Sequence, residues 1–112
     1  MKPAPFDFVS PDSLEEALAV LAETGEDARI LAGGQTLTPM LNMRLVEPAV
    51  LIDISRLQTL DYVRRENCHI ELGAAATQAA LEAWPDLPAC APLLAQALPH
   101  VGHFQTRNRG TV

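Results

Sequence analysis

The sequence predicts an α+β chain built as two small subdomains, residues 1–57 and 58–112. Three observations carry this. A helical apolar repeat follows a Ser-x-x-Glu start at Ser13. A strand, a glycine turn, a short helix and a second strand then succeed one another between Arg29 and Asp53, which implies parallel pairing. Beyond residue 60, apolar and polar residues alternate with period two on both sides of Asn67, which implies an antiparallel hairpin. Parallel and antiparallel segments kept apart along the chain make the α+β class.

Each element has a local reason. Ser13 and Glu16 form a capping box, with Ser13 at the N-cap and Glu16 three residues on. Leu14, Ala17, Leu18, Leu21 and Ala22 then fall on one helical face, and Gly25 ends a helix over about Leu14 to Thr24. Its expected role is packing, with Glu15 and Glu23 in solvent. Arg29 to Ala32 reads as a short buried strand, Pro39 to Leu45 as a short helix capped by Thr38 with Pro39 at its first position, and Ala49 to Asp53 as a second strand. Asp61 to Glu66 and Cys68 to Leu72 are the hairpin strands, with Asn67 in the turn, and Gly73 breaks their pattern. Thr77 suits the cap of a helix over Gln78 to Ala83. A further helix is expected from near Pro92, carrying Leu93, Leu94, Ala97 and Leu98, and kinked or ended by Pro99. The last dozen residues have no clear period.

Composition narrows the function classes. A hydrophobic fraction of 48% is enough for a packed core. The formal net charge of −6 argues against nucleic acid, whose binding needs clustered Lys and Arg. No run reaches the roughly 18–20 apolar residues of a membrane span. The first residues lack the apolar core of a signal peptide, so the expected location is cytoplasmic. Cys68 and Cys90 form no Cys-x-x-Cys pair, which points to no iron–sulfur or zinc site in this chain.

The stretch from Ile30 to Pro39, Ile-Leu-Ala-Gly-Gly-Gln-Thr-Leu-Thr-Pro, holds the strongest chemical signal. An apolar strand runs into two glycines, then amide and hydroxyl side chains, then a helix start. Glycine allows φ > 0 and close backbone approach, so that N–H groups can face an anion such as a phosphate. The Thr36 hydroxyl can add a hydrogen bond. The turn is not Gly-x-Gly-x-x-Gly, which disfavours a Rossmann dinucleotide site, and no Lys-Ser/Thr follows the glycines, which excludes a P-loop. On chemistry alone an ordinary tight turn stands beside the phosphate reading.

Four segments in order, LAGGQTL (Leu31 to Leu37), LIDISRLQTL (Leu51 to Leu60), IELGAAAT (Ile70 to Thr77) and GHFQTRNRGTV (Gly102 to Val112), resemble one family. It is the FAD-binding medium subunit of the molybdenum hydroxylases, a group that includes aerobic carbon monoxide dehydrogenase, the xanthine dehydrogenase flavin subunit and related N-heterocycle or aldehyde dehydrogenases. The resemblance runs from about Phe6 to Val112 and implies the N-terminal portion of a PCMH-type FAD-binding fold. The first α/β subdomain would be complete and the second only begun.

The resemblance also implies roles. Leu31, Ala32, Gly33, Gly34, Gln35, Thr36 and Leu37 would wrap the FAD diphosphate, mainly through main-chain N–H groups; many relatives carry Ser where Thr36 stands. Gly110 and Thr111 would open a second diphosphate loop of pattern Thr-x-Gly-Gly. Here Thr111 and Val112 are present and the two glycines are not, a departure that puts this half of the phosphate site in question. Leu72 would lie near the cofactor, with plain core packing as its other reading. In this family a molybdopterin-containing large subunit oxidises the substrate, a 2Fe–2S small subunit carries the electrons, and FAD passes them to an acceptor. No catalytic side chain and no metal ligand is expected in this chain.

The remaining polar residues have structural readings. His100 and His103 are spaced as metal ligands on a helix, with no third ligand placed beside them. Arg107 and Arg109 could neutralise phosphate, yet backbone amides already serve that purpose, so a loop-positioning role is favoured. Cys68 and His69, as strand neighbours, would point to opposite faces and form no dyad. The rival function is a truncated, non-catalytic fragment that folds or docks with partner subunits without holding FAD. With half a phosphate site, this chain alone is expected to hold FAD weakly.

Overall fold

Ser13 and Gly25 bracket the longest helix in the computed structural model, which describes residues 1–67 and 69–112. The chain divides into two units, Met1–Leu57 and Gln58–Val112. In the first, helix α1 spans Leu14–Thr24. The Ser13 hydroxyl accepts from the Glu16 N–H at 3.1 Å, and the Glu16 carboxylate accepts from the Asp12 N–H at 2.8 Å. The reciprocal bond of the capping box therefore falls one residue before the cap. Gly25 ends the helix at φ 63°, its N–H donating to the Leu21 carbonyl. Ser13→Ala removes one bond to an orphan helix N–H and is expected to lower stability by about 1 kcal/mol, read by denaturant unfolding.

Strands β1 (Asp7–Val9), β2 (Ala28–Leu31) and β3 (Val50–Asp53) form a parallel sheet in the order β1-β3-β2. Phe8 and Arg29 both lie opposite Leu51, and Val9 and Ile30 both lie opposite Ile52. β3 is central, so its successive residues Leu51 and Ile52 are both buried, although they point to opposite faces. The strand–helix–strand succession gives the parallel β2–β3 pairing that the sequence implies. β1 has three residues, too short to show a period.

Several details differ from the sequence reading. β2, expected as a buried strand over Arg29 to Ala32, spans Ala28–Leu31 at the outside of the sheet, with only Ala28 buried and Arg29 and Ile30 exposed, because it has a strand neighbour on one side only. α1 buries Ala17 and half-buries Val20, Leu21 and Thr24, while Leu18 is 55% exposed. The buried stripe is 17, 20, 21, 24, rotated from the expected one. Both stripes carry apolar residues; α1 packs against β3, and Ala17 is its buried residue. Helix α2 spans Leu37–Asn42, starting two residues before Pro39, with Thr36 at the N-cap and no side-chain capping bond. The Thr38 N–H already donates to the Gly34 carbonyl at 3.0 Å, which draws the start back. Pro39 then sits in the first turn, where a missing N–H costs no helical bond. Arg44, at φ 55°, turns the chain away soon after Asn42.

In the second unit β4 (Val63–Glu66) and β5 (His69–Leu72) pair antiparallel. Asn67 takes φ 51° in the turn, a left-handed conformation that Asn tolerates better than most residues. Cys68, expected in this hairpin, lies outside the described residues. Val63, Ile70 and Leu72 pack against the buried Leu81, Leu87 and Leu98. Arg64 lies opposite Glu71 and donates to its carboxylate at 2.9 Å, and the Tyr62 hydroxyl donates to the same group at 2.9 Å. Hydrogen bonds from Arg64 and then Tyr62 hold the Glu71 carboxyl below its ordinary range.

Helix α3 (Gln78–Ala83) starts at Thr77, whose hydroxyl accepts from the Ala80 N–H at 3.1 Å. One-turn α4 (Leu87–Cys90) and α5 (Pro92–Ala97) follow. Pro99 sits in a 3-10 turn, Leu98–His100, that ends α5, as its ring requires. α6 (Phe104–Arg107) is a further single turn. The chain then returns so that Thr111 lies opposite Thr77 in an antiparallel bridge.

Candidate functional site

In the first unit the glycine turn leaves the carboxyl end of β2 and enters α2. Leu31 still belongs to the sheet: its carbonyl accepts from the Ile54 N–H at 2.9 Å. Ala32, Gly33, Gly34 and Leu37 are half-buried, while Gln35 and Thr36 are exposed. The left-handed backbone falls on Gly34, at φ 72°. A Cβ there would stand 3.0 Å from Thr38 Oγ1 and 3.2 Å from Leu31 Cδ1. Glycine is therefore required twice, by conformation and by space.

The turn's donors are the functional observation. Among the described residues, the N–H groups of Gly33, Gly34, Gln35, Thr36 and Leu37 meet no acceptor. The Thr36 hydroxyl, which caps nothing, is also free within this set. The Gln35 side chain reaches only the Gly33 carbonyl, at 3.5 Å. A loop whose main-chain donors are not consumed by the fold can supply them to an anion. Its donor set fits a diphosphate, which offers only acceptors.

In the second unit Gly110 and Thr111 lie beside the start of α3. The Gly110 N–H donates to the Thr106 carbonyl at 2.7 Å, and its own carbonyl accepts from the Gln78 N–H at 2.8 Å. The Val112 N–H donates to Ala76 at 3.1 Å. Leu72 is half-buried against the Leu81, Leu87 and Leu98 core. Arg107 is committed to structure: its Nε donates to Glu82 at 2.9 Å and its Nη1 to the Val101 carbonyl at 3.1 Å. Its side chain is 11% exposed. His100 lies in the 3-10 turn and His103 at the N-cap of α6. Among the described residues no group of three or more His, Cys, Asp or Glu side chains is arranged to hold a metal ion.

The sequence reasoning did not single out Gln78. Its polar side chain lies at the first position of α3, beside the returning chain, and only the bridge to Thr111 reveals its neighbours.

A parallel α/β unit and an antiparallel hairpin unit with helices define an α+β chain with an anion-suited turn at a strand's carboxyl end. Residues 4–112 match the family described as the FAD binding domain in molybdopterin dehydrogenase, and the chain belongs to that family. It is 43% identical over 112 residues to the 6-hydroxypseudooxynicotine dehydrogenase complex subunit alpha of Paenarthrobacter nicotinovorans, covering 100% of this chain and 38% of that protein. It is 42% identical, with the same coverage, to the caffeine dehydrogenase subunit beta of Pseudomonas sp. strain CBB1. A carbon monoxide dehydrogenase chain from Hydrogenophaga pseudoflava superposes with a TM-score of 0.92 at 40% identity, over 99% of this chain and 39% of that one. The chain thus spans under two-fifths of the length of these relatives.

Proposed function

We propose that this chain holds the diphosphate of FAD through the main chain of Leu31, Ala32, Gly33, Gly34, Gln35, Thr36 and Leu37. Gly110 would lie beside the cofactor with its N–H already spent on the Thr106 carbonyl, Thr111 would add its own N–H, and Leu72 is a weaker neighbour of the cofactor. The observation that carries the reading is the run of N–H groups from Gly33 to Leu37 that the fold leaves without acceptors. A net charge of −6 repels an anion at long range, so short-range donors must do the binding. Bound FAD would supply the redox chemistry. The chain's own part is to bind and orient it: the glycines admit the phosphate oxygens, and the Thr36 hydroxyl offers an added donor.

By family, the activity is that of an oxidoreductase flavoprotein subunit. We assign it to the flavin step of a molybdenum hydroxylase, receiving electrons from a 2Fe–2S small subunit that serves a molybdopterin-containing large subunit. The multi-subunit names of the relatives support these partners. A cytoplasmic location goes with the free thiol of Cys90. No helix among the described residues is long and apolar enough to cross a membrane.

The test follows backbone amide resonances of the chain during titration with FAD, ADP and riboflavin. FAD and ADP, which carry the diphosphate, should shift the amides of Gly33 to Leu37; riboflavin should leave them in place. Shifts produced equally by riboflavin, or no shift there with FAD, would reject the assignment.

A further inference from the structure

β2 ends its sheet, with β3 on one side and no strand on the other among the described residues. The Asp27 and Leu31 carbonyls turn inward, where they accept from the Ala49 and Ile54 N–H groups, each at 2.9 Å. Main-chain directions alternate along a strand, so the N–H and C=O of Ala28 and of Ile30 face out from the sheet edge. A row of such groups is a template for another strand. At Ala28 the row is already closed. Its N–H donates to the Gly25 carbonyl, and its C=O accepts from Arg29 Nη1 at 2.7 Å. The same Nη1 donates to the Glu26 carbonyl, also at 2.7 Å. These two carbonyls hold the guanidinium at the edge of its own strand. Ile30 is left open. Its outward N–H and C=O have no partner among the described residues, and its side chain is 48% exposed.

We propose that Arg29 is a built-in block on strand addition at the β2 edge, and that the strand it keeps out is β2 of a second copy of this chain. Ile30 offers one donor and one acceptor on the same side. Two antiparallel copies of β2 would meet that offer, because a residue opposite its own twin exchanges both bonds across a two-fold axis. That single pair of bonds is too little to offset the freedom two copies lose on association. The ladder grows from Ile30 toward Ala28 only through the Ala28 carbonyl, which Arg29 holds. An arriving strand would have to displace a charged donor from two carbonyls at once.

Hydrogen exchange of the Ile30 amide, followed in the whole chain from micromolar to millimolar concentration, reads this edge directly. In the unaltered chain that amide should exchange at one rate at every concentration. Arg29→Ala should slow it roughly tenfold at the highest concentration, the scale of one edge hydrogen bond, while a dimer appears in sedimentation. Adding Ile30→Pro to Arg29→Ala takes away the outward donor without removing a bond to β3, and should return the chain to a monomer. Arg29→Met keeps the side-chain stem and drops the donors. It should act as Arg29→Ala does, and it decides the matter if Arg29→Ala fails to fold, which the amide dispersion of residues 1–57 reports. Ile30 protection that rises with concentration in the unaltered chain overturns the inference, because no block is then in place. So does an Ile30 exchange rate independent of concentration in the Arg29 variants, or a dimer that survives Ile30→Pro.

Discussion

Gly34→Val should abolish the FAD-dependent shifts of Gly33 to Leu37 while leaving the first unit folded. Two effects add. At φ 72° a β-branched residue is forced into a region it rarely adopts, a cost of roughly 1–3 kcal/mol. Its Cβ would also press on Thr38 Oγ1 and Leu31 Cδ1, both within 3.2 Å. The turn must shift to relieve this, and the N–H groups move with it. Misplacing two donors to a charged oxygen, at about 1.5–3 kcal/mol each, amounts to a loss of a hundredfold or more in affinity. Gly25→Ala separates strain from site. Gly25 has φ 63° and nothing within 4 Å of its missing Cβ. That variant should be destabilised by the backbone term alone and keep the FAD shifts. Equal loss of binding in both variants would show that general destabilisation, and not the turn, governs the ligand.

The features legible in the sequence are those fixed by neighbours along the chain. The Ser13 and Thr77 caps, the Gly25 stop, the Asn67 turn and the helix Gln78–Ala83 each depend on residues within four positions, and each is present. The family was readable because four segments keep their order. What could not be read is what distant segments decide. Which apolar stripe of α1 turns inward is decided by its packing against β3, far along the chain. α2 begins at Leu37 because Thr38 bonds back to Gly34, a bond that the turn's shape permits. α4 and α6 have four residues each, too few for a period. The pairing of Thr111 with Thr77 joins residues 34 positions apart through a single bridge.

The candidate turn shows the same division. Its glycines and hydroxyl are visible as residue types, but the φ could have fallen on either glycine. The structure puts it on Gly34. Whether the N–H groups from Gly33 to Leu37 were spent on internal bonds was likewise a question of geometry. The bond from the Gln78 side chain to the Thr111 carbonyl was invisible because it joins residues 33 positions apart.

Gly73→Ala should unfold the second unit selectively. Gly73 follows β5 and is buried, and its N–H donates to the Tyr62 carbonyl at 2.9 Å. A Cβ there would run into the Leu60 carbonyl and stand 2.9 Å from Tyr62 Cδ1. The aromatic ring can turn aside, but the carbonyl cannot. It is main chain, and it accepts the Ala75 N–H at 2.9 Å. Relief therefore means separating the segment Leu60–Tyr62 from Gly73–Ala75, which breaks that bond or the one from Gly73. Overpacking contributes roughly 1–3 kcal/mol and each lost hydrogen bond about 1 kcal/mol more. The sum approaches the total stability of a unit this short, at about 0.05–0.15 kcal/mol per residue. The expected record is collapse of amide dispersion for residues 58–112 with that of 1–57 retained. Native dispersion throughout, at unchanged denaturant midpoint, would show that the Leu60 backbone yields and that the close approach at Gly73 is not a constraint on the fold.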